Sequence, residues 1–224
     1  DIGWVVGHSY IVYAPLVAGA TTVFREGAID HPNPGVFYEI IEKYGVNVMF
    51  TAPTLLRMLM RYGEEYALKY DLTSLRFLTC AGEPLNPEAL KWTYEFICGN
   101  GKWGHIVDNW WQTETGGPCL GTSATMPVKP GRVGRALPGA ELDIVDREGQ
   151  PITEPDVGGL LVITRPFPHF YRTVYGDPER QAQDWNTIPG VYLTGDVALR
   201  DAEGYYMVVG RADDVLNVAG HRIG

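Results

Sequence analysis

Two Asn-Pro pairs do most to constrain how this chain folds. Asn33-Pro34 and Asn86-Pro87 each stand before an apolar run of helical period. Asparagine caps the orphan amides of a helix start, and proline, which has no amide to lose, suits the first turn. In HPNPGVFYEIIEKYG, Val36, Phe37, Ile40, Ile41 and Tyr44 form one stripe, with Gly45 as the stop. NPEALKWTYEFICG repeats the pattern, and TLLRMLMRYG supplies another helix. Between them GATTVFRE, VNVMFTAP, SLRFLTCAGEP and HIVDNWW read as strands, with VNVMFTAP buried on both faces. Strand and helix alternating over short joints predict an α/β fold, a helix-covered and mostly parallel sheet.

After about Gly121 the pattern changes. ELDIVD, GGLLVIT, VYLTGDVALRD and GYYMVVGR are short β runs, with REGQ and AEGY as hairpin turns. A smaller antiparallel β subdomain, distorted and barrel-like, is expected there. The expected organisation is an α/β subdomain over 1–120, a β-rich one over 121–212, and a hinge opening a further domain over 213–224.

The stretch WVVGHSYIVYAPLVAGATTV is long enough to raise a membrane span, but His8, Ser9, Pro15 and the threonines interrupt it and no basic flank precedes it. A buried helix running into a strand is the expectation. A net charge of -9 argues against nucleic acid as partner. Cys80, Cys98 and Cys119 form no disulfide framework, so a reducing cytoplasm is expected. The five histidines show no metal-ligand spacing with each other or with the cysteines.

In open α/β sheets, ligands gather beyond the carboxyl ends of the strands. Three polar clusters fall at such ends: Thr51 to Thr54, Ala81 to Pro84, and Trp111 to Gly116. Gly82 lets a flat ring approach the backbone, although Gly-Glu-Pro also reads as a plain helix entry before Asn86. Thr113 can donate to a phosphate oxygen and Glu114 can hold Mg²⁺, although the same residues also read as a solvated loop. Adjacent residues on a strand face opposite ways, so one of Trp110 and Trp111 can pack in the core while the other lines a pocket. Asp196, in Thr194-Gly195-Asp196, can accept from both hydroxyls of a ribose, and alone it reads as a turn aspartate. Arg211 and Arg222 stand among glycines, and a guanidinium suits phosphate or carboxylate.

In the order GEP, WWQTETG, TGD, GRADD and GHRIG, with DIGWVVGHSY and YGDPER besides, the chain resembles the acyl-adenylate-forming synthetases along essentially its whole length. The likeness is to their acetyl-CoA synthetase branch. The resemblance implies an enzyme that joins a carboxylate to AMP from Mg-ATP, releasing pyrophosphate, and then passes the acyl group to coenzyme A. It implies nucleotide contacts from Gly82, Glu83, Pro84, Asp108, Asn109, Trp110, Gln112, Thr113, Asp196, Arg211 and Arg222. Thr113, Glu114 and Arg222 are the catalytic residues it implies, with Glu114 on Mg²⁺, and Asp213 is the implied hinge. Trp111 would close an acyl pocket completed by Val5, Val6 and Ala81. Acetate-using relatives often carry threonine and valine at the Val6 and Ala81 positions, which leaves acetate, propionate and a small branched acid open.

The family's phosphate loop is expected before Asp1, and its lysine-bearing domain after Gly224. The chain therefore reads as an internal fragment of the large N-terminal domain, expected to be inactive alone although its parent is a ligase. The alternative is a non-catalytic module that binds ATP or AMP. A glycosidase surface leaves TGD, GRADD and GHRIG unexplained, and Trp111 disfavours aryl or fatty acids.

Overall fold

A computed structural model describes residues 3–212, with the backbone of 216–218 and 221–223. Asp213 lies outside the described residues, and so does the side chain of Arg222. The chain divides into two compact units, Asp1–Ala81 with Asn86–Val107, and Gly82–Leu85 with Asp108–Gly224.

The first unit opens with α1 (Val5–His8), a π-helical turn at Ser9–Tyr13 and α2 (Ala14–Val17). The helix expected here forms, but it is not buried. Leu16 is 66% and Val17 88% exposed, although the Tyr10 ring meets Phe50 at 5.6 Å. Nor is GATTVFRE a strand. Its β-branched residues favour extended backbone, but a strand needs a ladder partner, and among the described residues none pairs with it.

α3 (Val36–Tyr44) buries Val36, Phe37 and Ile41 on the expected stripe and stops at Gly45 in the left-handed region. Asn33 does not cap it. Its side-chain oxygen accepts from the Gly35 amide at 2.8 Å, making a turn one step before the helix. β1 (Val48–Thr51) leads into α4 (Pro53–Tyr62) and then β2 (Phe77–Cys80), which runs parallel to β1 from Val48↔Phe77 to Thr51↔Cys80. β1 is not buried on both faces, since Val48 is 61% exposed. At α5 (Pro87–Trp92) the second Asn-Pro pair caps as expected, with Asn86 accepting from the Ala89 amide at 3.3 Å. Phe37, Ile41, Leu56, Leu59, Leu75, Leu78, Ile97 and Ile106 are almost wholly buried and form the core of this α/β unit.

β3 (His105–Trp110) begins in the first unit and ends in the second. In the second, β3, β4 (Leu120–Gly121) and β5 (Arg135–Ala136) pair antiparallel. β6 (Glu141–Val145), β7 (Gly159–Arg165), β8 (Tyr192–Arg200) and β9 (Tyr206–Arg211) form an antiparallel sheet in sequence order. That sheet is open, so the barrel-like expectation is met only in its antiparallel character. α6 (Pro178–Asn186) precedes β8, and β10 (Leu216–Val218) pairs with β11 (His221–Ile223). REGQ turns with the Asp146 amide bonded to the Gln150 carbonyl, and AEGY closes the β8–β9 hairpin. Phe170 centres an edge-to-face aromatic cluster, 5.0 Å from Tyr192 and 5.5 Å from Trp185.

No helix among the described residues is long and apolar enough to cross a membrane. The three cysteines are buried and free, and burial pushes the Cys98 and Cys119 thiols up to about 12.

Candidate functional site

The period of two along β8 puts Tyr192, Thr194 and Asp196 on one buried face. Gln112, just past β3, reaches all three. Its amide nitrogen donates to the Thr194 carbonyl at 2.8 Å and to Asp196 Oδ2 at 3.1 Å, and its oxygen accepts from the Tyr192 hydroxyl at 3.2 Å. Trp110 Nε1 donates to the same Asp196 oxygen at 3.2 Å. Across the ladder Arg211 stands opposite Asp196, 3.6 Å from its other oxygen, and donates to the Thr194 carbonyl at 2.9 Å. Side chains from the end of β3, the loop after it and β9 thus meet at one carboxylate of β8.

The loop after Gln112 is knotted from within. Thr115 is wholly buried, and its hydroxyl accepts from the Gln112 amide at 3.0 Å while lying 2.9 Å from the Gln112 and Gly117 carbonyls. Of the two threonines in this loop, Thr113 is therefore the exposed one. The segment after β7 supports the loop from outside. The Tyr171 amide donates to the Glu114 carbonyl at 2.8 Å, and His169 Nδ1 lies 2.6 Å from the Thr115 carbonyl. Sequence reasoning missed His169, Tyr171 and Tyr192. A β run says nothing of which loop its neighbours will brace.

Gly116 has φ +70, and a Cβ there would overlap the His169 carbonyl oxygen. Gly116→Ala should lower stability by about 2 kcal/mol or more, from left-handed strain plus overlap. Gly176 has φ +74 but no atom within 4 Å of a Cβ, so Gly176→Ala carries only the strain. Thermal unfolding followed by tryptophan fluorescence compares the two. Equal shifts would mean that His169 does not press on the loop.

Asp108 is 8% exposed, and burial pushes its carboxyl up to about 8, opposed in part by the Asn109 amide at 2.9 Å. Asn109 is buried beside it. Gly82, Glu83 and Pro84 belong to the same unit. Gly82 is exposed, and no atom lies within 4 Å of where its Cβ would stand, so a planar group has room there. Trp111 is half-buried just past β3. Val5 and Val6 lie on α1 and Ala81 directly after β2, all in the first unit. Burial holds the Tyr192 hydroxyl well above the usual phenol range, with the Glu114 charge adding to it, so it stays a donor.

A cavity of about 300 Å³ is lined by Thr113, Glu114, Tyr171, Thr173, Val174, Arg180 and Asp184. Among the described residues the Glu114 carboxylate has no hydrogen-bond or ion-pair partner. A carboxylate and a hydroxyl beside open space are hard oxygen donors of the kind Mg²⁺ takes with water and phosphate. The residues present fit that ion.

Residues 1–169 match the family model described as AMP-binding enzyme. The acetyl-coenzyme A synthetases of Deinococcus radiodurans and Pyrobaculum aerophilum are 51% and 49% identical over 226 and 228 residues. That of Caulobacter vibrioides is 49% identical over 229 residues. Each alignment takes in the whole of this chain but 34% of the relative, so the chain spans about a third of their length. With the match running through the loop of Thr113 and Glu114, the chain belongs to the AMP-binding enzyme family.

Proposed function

We propose that this chain carries the adenylate-binding part of an AMP-forming short-chain acyl-CoA synthetase of the acetate or propionate type. The observation that carries the reading is the convergence of Trp110, Gln112 and Arg211 on Asp196, in the unit that also holds Thr113 and Glu114. Asp196 receives the ribose hydroxyls. It is pre-aimed, because Trp110 and Gln112 both hold Oδ2 and the Arg211 cation stands beside Oδ1. Gly82 to Pro84 and Asp108 to Trp110 frame the adenine, the open face beside Gly82 accommodating the ring.

The acid's carboxylate oxygen attacks the α-phosphorus as the bond to pyrophosphate breaks, its electron pair leaving on the pyrophosphate oxygen. Thr113, exposed and lining the cavity beside Glu114, donates to the α-phosphate, and Arg222 adds positive charge. Glu114 would hold Mg²⁺, which when bound neutralises phosphate charge. The thiol of coenzyme A then attacks the acyl carbon and AMP departs. The protein's part is positioning and charge neutralisation. Asp213 is the hinge between the two half-reactions. Free, buried cysteines suit a reducing cytoplasm.

The full-length protein should exchange labelled pyrophosphate into ATP only when a short acid is present, and should form AMP only when coenzyme A is added. AMP binding with no acid-dependent exchange would favour a binding module instead. Trp111 limits the length of the acid by overlap. Trp111→Gly should therefore move the preference in kcat/KM from acids of two to four carbons toward longer ones by about tenfold or more. An unchanged ranking would remove Trp111 from that role.

A further inference from the structure

The geometry points to a seat for the departing pyrophosphate in the cavity of Thr113, Glu114, Tyr171, Thr173, Val174, Arg180 and Asp184, with Arg180 as its anion-binding residue. The inference rests on the assignment of Thr113 to the α-phosphate. Whatever is bonded to that phosphorus must lie within a bond or two of the Thr113 hydroxyl, and the cavity Thr113 lines measures about 300 Å³.

Arg180 stands in the first turn of α6, its backbone amide bonded to the Asp177 cap at 3.1 Å. Its natural partner on a helix is the carboxylate one turn on, Asp184. That carboxylate instead accepts from the Tyr171 hydroxyl at 2.9 Å. Among the described residues the Arg180 guanidinium makes no hydrogen bond or ion pair, although Glu114 and Asp184 line the same cavity. Burial does most to raise the Tyr171 hydroxyl above the usual phenol range, the Asp184 and Glu114 carboxylates add to it, and the Arg180 charge opposes them.

The lining thus offers one free cation, one free carboxylate and the hydroxyls of Thr113 and Thr173. A bare anion would be repelled by Glu114, and a bare cation by Arg180. A magnesium-bound diphosphate satisfies both, its oxygens taken by the guanidinium fork and hydroxyls and its metal by the carboxylate. The walls are set before the ligand arrives, since the Tyr171 amide already holds the Glu114 carbonyl at 2.8 Å. Arg180 therefore stabilises the leaving group, as negative charge gathers on pyrophosphate when its bond to the α-phosphorus breaks.

The test is calorimetry on the full-length protein with pyrophosphate plus Mg²⁺, and separately with AMP. Arg180→Gln should weaken pyrophosphate by about tenfold or more, the scale of one charge-assisted contact, and leave AMP within about twofold. Arg180→Lys should fall between. Arg180 is exposed, so the melting temperature should not move. Unchanged pyrophosphate affinity in Arg180→Gln, or a wild type that binds AMP but no pyrophosphate, would overturn the seat and leave the synthetase reading standing. A wild type that binds neither ligand would sink both.

Discussion

Asp108→Asn should stabilise the protein at pH 8 and remove a slope from its pH profile. Asp108 is almost fully buried, and desolvation holds its carboxyl at about 8 against an ordinary 3.8. Between those values the unfolded chain has lost the proton and the folded chain keeps it. Folding then takes up a proton, so stability falls as pH rises, by about 1.4 kcal/mol per pH unit while the difference lasts. The contribution is fully present below about pH 4, declines through neutrality, and is gone above the folded pKa near 8. Asparagine has the same shape, keeps an oxygen for the Asn109 amide and cannot ionise. The difference in melting temperature between variant and wild type should therefore widen from pH 5 to pH 8, by an amount equivalent to a few kcal/mol. Parallel profiles for the two proteins would show that Asp108 is ionised at neutral pH.

Asp196→Asn should cost both stability and nucleotide affinity. Trp110 Nε1 and the Gln112 amide nitrogen both donate to its Oδ2, at 3.2 and 3.1 Å, and the Arg211 guanidinium lies 3.6 Å from Oδ1. An asparagine oxygen in the Oδ2 place keeps both of those bonds, but its NH₂ group then faces the Arg211 cation. The ion pair with the half-exposed Arg211 is lost, at up to about 1 kcal/mol. Ribose hydroxyls lose an acceptor as well, and AMP affinity should fall by tenfold or more, read by calorimetry. Asp196→Ala should be worse, because it also removes the acceptor of Trp110 and Gln112. AMP binding that survives in a stably folded Asp196→Asn would place the ribose elsewhere.

These two aspartates show how differently a motif and its environment speak. The residue types around Asp196 suggest a ribose contact, whereas Asp108 is named by the resemblance alone. That Asp196 is shared by Trp110, Gln112 and Arg211 follows from β8 and β9 being adjacent and from Gln112 turning back over β8. No local pattern reports such a crossing. That Asp108 is held neutral follows from its burial in the folded chain.

The same division runs through the fold. α3, α4 and α5 and strands β1 to β3 and β6 to β9 lie where hydrophobic period and turn residues put them, because those signals are local. GATTVFRE was as strand-like as any of them and formed no strand, since extended propensity without a partner leaves backbone groups unpaired. The run from Val5 to Val17 became helical but stayed exposed in this unit, because helix formation is local and burial needs a neighbour.

By itself, then, the sequence determined the periodic elements, the loops at their ends and the residue types that can hold a nucleotide. Only the tertiary structure decided that His169 and Tyr171 would brace the loop that carries Thr113 and Glu114. It also decided that Arg180 would line one cavity with Glu114, and that Tyr171 would take Asp184, the carboxylate one turn from Arg180. Covalent order sets periodicity within a few residues, whereas burial, charge pairing and cavity walls depend on segments that meet only when the chain has folded.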